Sequence, residues 1–279
     1  MKYGVAMFPT DYAIQADALA RELEARGFES LLLPEHTHIP TSRKSPWPGG
    51  ADLPRDYWHT LDPFVALGAA AAVTKSLMLG TGICLVIERD PIVLAKEVAS
   101  LDVISNGRVI LGIGGGWNAE EMEDHGTDFK RRWRILRERV LAMKEIWSKD
   151  QPEFHGEFVN FDPIWLWPKP VQKGGPPVLL GSESKNALER VVDYCDGWIP
   201  INRRGHTLAE RLKQLREKAE RAGRDSLING VFGVPAREDA ARQFIDIGFP
   251  HLVFGLPPAK ADKVLPLLDQ CAAVAAKLR

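Results

Sequence analysis

The sequence predicts an α/β fold of the (β/α)8 TIM barrel type, one domain over residues 1–279 with insertions after the second strand and before the fifth. Three observations carry that expectation. Short apolar runs alternate with amphipathic segments along the whole chain, in strand–helix pairs that number eight. The runs are almost continuously apolar, as in strands covered on both faces, where a sheet with one wet face would alternate. A length of 279 residues suits such a barrel, and closure leaves no edge strand to protect, unlike the alternative, an open doubly wound sheet.

The elements follow in order. Residues 3–8 read as a strand and 13–26 as a helix, with Ile14, Ala18, Leu19 and Leu23 on one face and Gly27 as its stop. Residues 30–33 are the second strand. The helix over 63–73 is opened by Asp62 as N-cap, with Pro63 at its first position. Between them, 37–60 is rich in Pro and Gly and too long for an ordinary connection, so it reads as a lid or a disordered excursion. A strand over 77–86, a helix over 91–104, a strand over 109–113 and a long helix over 130–148 come next. In that helix Trp133, Leu136, Val140 and Met143 recur at helical spacing with arginines between them, a core-facing stripe with a solvated basic face, or, as the sharper alternative, a basic cluster that includes Arg131 and Arg132 and guides the acidic tail of a cofactor. Residues 151–173 break the rhythm: 154–161 (FHGEFVNF) reads as a small hairpin, with a proline-rich return through Pro168 and Pro170. The alternation resumes with 178–180 and 185–194, 198–201 and 208–222, 228–234 and 239–247, then 251–254 and 261–278.

A net charge of −1 and the lack of a basic block give no electrostatic reason to expect nucleic acid or an anionic membrane, so a small-molecule substrate is expected. Cys84, Cys195 and Cys271 are far apart and form no CxxC pair, which points to reduced thiols and a cytoplasmic setting. The N-terminus opens directly on the first strand, without a secretory pattern, and no run approaches the length of a membrane span.

In a barrel of this type, function sits at the C-terminal ends of the strands, and the candidate motifs fall there. The stretch 107–118 (GRVILGIGGGWN) ends a buried strand in Gly114, Gly115 and Gly116, followed by Trp117. Successive glycines leave N–H groups bare and permit positive φ, so the turn can hold an anion such as a phosphate; a tight turn with no ligand is the plainer reading. A dinucleotide fingerprint fails because Trp117 stands where its third glycine belongs. The second strand ends in Pro34-Glu35-His36-Thr37-His38. A histidine beside a carboxylate at the barrel mouth can act as a general base or bond an anionic ring, or be a solvated pair at a strand end. No third residue at suitable spacing suggests a metal. Thr81, Gly82 and Ile83 lie in a strand whose glycines mark a bulge or the close approach of a ligand. After the fifth strand, Gly181, Ser182, Ser184 and Lys185 lead into a helix, offering a second anion site or simply a serine cap. Two anion-binding strand ends fit a ligand with one anionic tail and a flat head.

Taken together, PEHTH, LGTGI, RDPIVLAKEVASLDVISNGRVILGIGGGW and PKPVQKGGPPVLLGSESKNALERVVDYCDGWIP resemble the luciferase-like flavin and deazaflavin oxidoreductases nearly end to end, most closely the F420-dependent branch. The resemblance implies a barrel with the cofactor ring in its mouth and the cofactor phosphate near the loops after the fourth and fifth strands. It places a cis peptide between Gly82 and Ile83 against one ring face. Gly114, Gly115, Gly116, Trp117, Asn118, Gly181, Ser182, Ser184 and Lys185 would line the phosphate and linker, with Glu35, His36 and Thr81 toward the ring and His36 at its reactive edge. A homodimer is implied by the way relatives pair. Trp117 stands where the sugar-phosphate dehydrogenase branch has a glutamate acid, which speaks against sugar-phosphate oxidation. The lid, with Trp47, Tyr57 and Trp58, points to an apolar or aromatic substrate.

The leading expectation is hydride transfer between C5 of F420 and a small organic substrate, with His36 handling the proton. An FMN-dependent monooxygenase is the first alternative. A non-catalytic cofactor-binding protein is the second.

Overall fold

Ser30–Leu33 and Val109–Ile113 are buried at every position, so neither strand has a face for water and both faces must be covered. The computed structural model describes residues 1–50, 52–201, 205–224 and 226–279, with 205 and 206 described by their backbone alone. Its strands are β1 (Lys2–Ala6), β2 (Ser30–Leu33), β3 (Met78–Thr81), β4 (Val109–Ile113), the hairpin pair β5 (Phe154–His155) and β6 (Asn160–Phe161), β7 (Val178–Leu180), β8 (Gly197–Trp198), β9 (Ile228–Asn229), β10 (Val231–Val234) and β11 (His251–Gly255). The α-helices are α1 (Ala16–Ala25), α2 (Pro63–Val73), α3 (Pro91–Ser105), α4 (Ala119–Asp124), α5 (Arg132–Ser148), α6 (Ala187–Tyr194), α7 (Gly205–Arg221), α8 (Glu238–Ile247) and α9 (Ala261–Leu278).

All strands outside the hairpin run parallel in the order β10-β11-β1-β2-β3-β4-β7-β8-β9. Only Gly230 separates β9 from β10, and its N–H reaches Trp198 O at 3.0 Å, so the two are one strand position that closes the circuit. The result is a (β/α)8 barrel. Leu32, Ile110, Leu179, Ile199, Phe232 and Val253 fill its interior, and a larger apolar layer lies between strands and helices. Asp62 and Asp90 cap α2 and α3, each accepting two backbone N–H bonds ahead of a proline at the first helical position. Gly27, at φ 72°, ends the first helical unit.

Several boundaries differ from the sequence reading. The strand expected over 77–86 stops at Thr81; the chain then turns through a cis Gly82–Ile83 peptide into a single 3-10 turn, Val86–Glu88. Leu85, Val86 and Ile87 are buried as loop, so their apolarity reports coverage rather than extended backbone. The strand expected over 198–201 is two residues long, with Ile201 held only by a bridge to Phe232. α4 was not expected; six residues, four of them acidic, carry no helical period. The basic face of α5 is largely paired: Arg131 and Arg134 with Glu157, Arg137 with Asp193, and Arg139 with the Val86 carbonyl. Leu136, Val140 and Met143 are core, but Trp133, at the mouth end of the helix, leaves that stripe for the cavity described below. The lid 37–60 has, among its described residues, one helical turn, Arg55–Tyr57. Among the described residues no helix is long and apolar enough to cross a membrane.

Candidate active site

A cavity of about 660 Å³ opens at the C-terminal ends of the strands. Gly82, Ile83 and the glycines at 114–116 line one side of it. There the backbone is bare because neighbours take the space: a Cβ on Gly114 would lie 2.7 Å from Ile83, and one on Gly115 would lie 2.6 Å from Trp133. Gly116 has φ +61°, which disfavours any other residue.

His36, at the end of β2, lines the cavity and places Nδ1 2.8 and 3.0 Å from the two carboxylate oxygens of Glu121 on α4. Both side chains are buried, His36 to 8% exposure and Glu121 to 1%. With Glu121 accepting from Nδ1–H, the neutral ring carries its lone pair on Nε2. The ring is packed by Tyr57, centroids 5.0 Å apart, and by Trp117, 5.9 Å. Trp47 and Phe8 extend this aromatic wall from the lid and from the loop after β1.

Glu35 also lines the cavity, but its carboxylate is engaged by the wall. Its carboxylate accepts from Leu85 N and from Arg89 Nε, each at 2.6 Å, and Arg89 also pairs with Asp62 and Glu97. Burial would lower the Arg89 pKa, but the Glu35 charge and these bonds hold it above its ordinary value. Glu35 is therefore a strut that fixes the loop carrying Gly82 and Ile83. Thr81 is buried, does not line the cavity and donates its hydroxyl to Gly112 O at 2.6 Å, tying β3 to β4.

At the far end stand Ser182, Ser184 and Arg211. Arg211 bonds the Glu183 and Ser184 carbonyls at 3.2 and 3.1 Å, and its buried Nε has no hydrogen-bond partner among the described residues. Behind them Arg190 donates to Ser184 Oγ at 2.9 Å and lies 3.9 Å from the Trp133 ring centroid. Burial lowers the pKa of both Arg132 and Arg190, and the Arg190 charge lowers Arg132 further, so an anion here would relieve both. Lys185 is exposed and does not line the cavity, and Asn118 is buried at the start of α4, also outside the lining. Trp58 is half exposed and lines a separate hollow under the lid.

Glycine wall, Ile83 and aromatics suit a flat ring, and the Ser/Arg end suits an anionic tail, so the residues present fit a phosphate-bearing flavin or deazaflavin. Sequence alone does not single out Glu121, Arg190 or Arg211, and it reads Trp133 as part of the core stripe of α5, whereas Trp133 lines the cavity. No group of His, Cys, Asp and Glu that could hold a metal occurs among the described residues.

The chain has relatives. The chain belongs to the luciferase-like monooxygenase family, whose sequence profile matches residues 9–243, and is an F420- or flavin-dependent oxidoreductase of that family. An uncharacterized protein of Mycobacterium tuberculosis is 40% identical over 277 residues, covering 98% of each chain. Among solved structures, an F420-dependent secondary alcohol dehydrogenase in complex with an F420-acetone adduct superposes with TM-score 0.80 over the full length of both chains at 20% identity. The monooxygenase RslO1 from Streptomyces bottropensis gives 0.79 over 100% of this chain and 99% of its own, at 19% identity.

Proposed function

We propose that the chain transfers a hydride between F420 and a small organic substrate, with His36 taking up or returning the accompanying proton. The His36–Glu121 pair carries the reading. Taking a hydride from a carbon that bears a hydroxyl requires a base for the hydroxyl proton, and an imidazole held at Nδ1 by a buried carboxylate offers Nε2 to the cavity. The bound deazaflavin supplies the hydride chemistry, and the protein supplies orientation and electrostatics. Gly82, Ile83 and the glycines at 114–116 support the ring. Ser182, Ser184 and Arg211 hold the anionic tail, with Arg190 bracing Ser184. Phe8, Trp47, Tyr57 and Trp117 enclose an apolar or aromatic substrate beside His36 and exclude water. Ser45 pins the lid above them, bonding Glu120 through its N–H and hydroxyl and accepting from Ala119 N at 3.0 Å.

The relative described as an F420-dependent secondary alcohol dehydrogenase supports this choice. The family's description as a monooxygenase, with a solved neighbour, a Baeyer-Villiger monooxygenase constituent in complex with FMN, favours a second reading, an FMN-dependent monooxygenase. The proposal also includes a cytoplasmic setting, in keeping with three buried free cysteines, and a homodimer, in keeping with the exposed Val65 and Val93 on α2 and α3. The test is to mix the protein with F420 and a panel of secondary alcohols, and with reduced F420 and a panel of enones, following F420 absorbance. Substrate-dependent bleaching or recovery is expected. No change with any member, together with oxygen uptake when reduced FMN is supplied, would overturn it.

A further inference from the structure

α4 carries Glu121 to His36, yet little in its own sequence holds it as a helix. It is six residues long, four of them acidic, and its N-cap residue Asn118 makes no side-chain capping bond. A helix this short does not persist by propensity alone. The buried Met122 anchors its underside. At its C-terminal end, His38 bonds Asp124 at 3.0 Å and Thr37 bonds His125 at 2.8 Å, both from chain that has only just left β2.

The first turn, which contains Glu121, is held from further out in the lid. Ser45 Oγ accepts from Ala119 N at 3.0 Å, satisfying one of the backbone donors that a helix leaves free at its start. The same hydroxyl donates to the Glu120 carboxylate, which also accepts from Ser45 N at 3.0 Å and from Ser42 Oγ at 3.3 Å. Burial raises the Glu120 pKa, but bonds from the Ser45 hydroxyl and from the backbones of Glu120, Ser45 and Lys44 outweigh it and push the carboxyl down to about 2, so this latch keeps its charge throughout the neutral range. Glu121 is the next residue along, with its two oxygens 3.0 and 2.8 Å from His36 Nδ1. Two residues past Ser45, Trp47 lines the cavity and packs on Tyr57 with centroids 5.8 Å apart, and Tyr57 packs on His36 at 5.0 Å. The lid therefore meets the His36–Glu121 pair twice, through bonds to α4 and through the aromatic wall.

We infer that Ser45 and Glu120 are positioning residues through which closure of the lid assembles the base: latched to the lid, the first turn of α4 seats Glu121 against His36 Nδ1. The inference rests on the proposed role of His36. With the latch undone, Glu121 no longer holds the Nδ1 proton, and the neutral ring can lose its N–H at Nδ1 and form one at Nε2. Such a ring has no lone pair to offer the cavity, so proton transfer is confined to the closed site from which Trp47 and Tyr57 exclude water. Neither Ser45 nor Glu120 lines the cavity, and both act through Glu121 and His36.

The test has two arms. In the first, protein labelled with nitrogen-15 histidine and free of cofactor is studied by NMR in alkaline buffer, with the His36 signals identified by their loss in His36→Ala. The wild-type ring should carry its proton on Nδ1, and Ser45→Ala and Glu120→Ala should each show a mixture of the two tautomers. A wild-type ring protonated on Nε2, or a tautomer balance unchanged in both variants, would overturn the inference. In the second, Ser45→Ala, Glu121→Gln and their combination are compared with wild type, using F420 and the secondary alcohol of the panel that is oxidised fastest. Ser45→Ala should lose about tenfold or more in kcat with F420 affinity unchanged, but should cost less than about twofold when added to Glu121→Gln, because the group it positions is already gone. An equal loss in both backgrounds, or F420 affinity falling in step with kcat, would overturn the inference. Should Glu121→Gln fail to fold, the tautomer balance decides. If no alcohol or enone is turned over by the wild type, the proposed function fails, while the tautomer balance still judges the link from the lid to His36.

Discussion

Replacing Arg89 with Met tests whether Glu35 is a strut or a chemical group. Arg89 is 14% exposed in its side chain and holds three carboxylates at once, Glu35, Asp62 and Glu97. Removing its charge leaves Glu35, 3% exposed, with the Leu85 N–H and the Cys84 thiol as neutral partners and its cation gone, while Asp62 and Glu97 stay solvated and lose little. Breaking one side of a buried pair costs about 3–5 kcal/mol because the orphaned charge remains buried. For a chain of this size that lowers the melting temperature by on the order of 10 °C. Arg89→Met should therefore lose about 3–5 kcal/mol in urea unfolding at pH 7, and Arg89→Met combined with Glu35→Gln should recover part of it, because the amide still accepts from Leu85 N without a buried charge. Cofactor affinity should fall in Arg89→Met, since the loop carrying Gly82 and Ile83 loses its anchor. A single variant within about 0.5 kcal/mol of wild type, or a double variant no more stable than the single, would refute the strut.

Three further predictions follow. His36→Ala should lower kcat by about 10²- to 10⁴-fold with cofactor affinity nearly unchanged, and equal loss of both would make the residue structural. Arg211→Gln combined with Arg190→Gln should weaken binding of the phosphate-bearing cofactor by about 10- to 100-fold and flatten its salt dependence, read by fluorescence titration at two ionic strengths. His251, 5% exposed and 2.8 Å from Ser30 Oγ beneath the barrel, is pushed down to about 4 by burial and then by Lys2. Its folded value lies below the unfolded one, so its contribution is intact above about pH 6.5 and is lost as pH falls toward 4, on the order of 3 kcal/mol. His251→Asn should flatten urea-unfolding stability across that window; an equal slope in the variant would contradict this.

Some of the site was legible in sequence because local chemistry announced it. β4 and its glycine turn show as an apolar run meeting bare backbone, and His36 shows as a titratable residue at a strand end. Glu35 was visible beside His36, and both line the cavity, but the Glu35 carboxylate is taken up by Leu85 N and Arg89, which lie 50 and 54 residues further along the chain and are not legible as its partners. Thr81 likewise sits beside cavity residues in sequence and ties β3 to β4 in space, and Asn118 is buried outside the lining. Glu121, Arg190 and Arg211 could not be read, because α4, α6 and α7 bring them from distant chain positions and their local sequences match ordinary helix surface. Trp133 shares the period of the α5 core stripe, and only its place at the mouth end turns it into the cavity.

The most direct measurement is a fluorescence titration of the purified, cofactor-free protein with F420 and, separately, with FMN. Binding of F420 at least tenfold tighter than FMN, weakened by the Arg190/Arg211 double variant, is the expected result for a deazaflavin enzyme. Tight FMN binding with weak F420 binding would contradict it and move the chain to the oxygen-using side of its family.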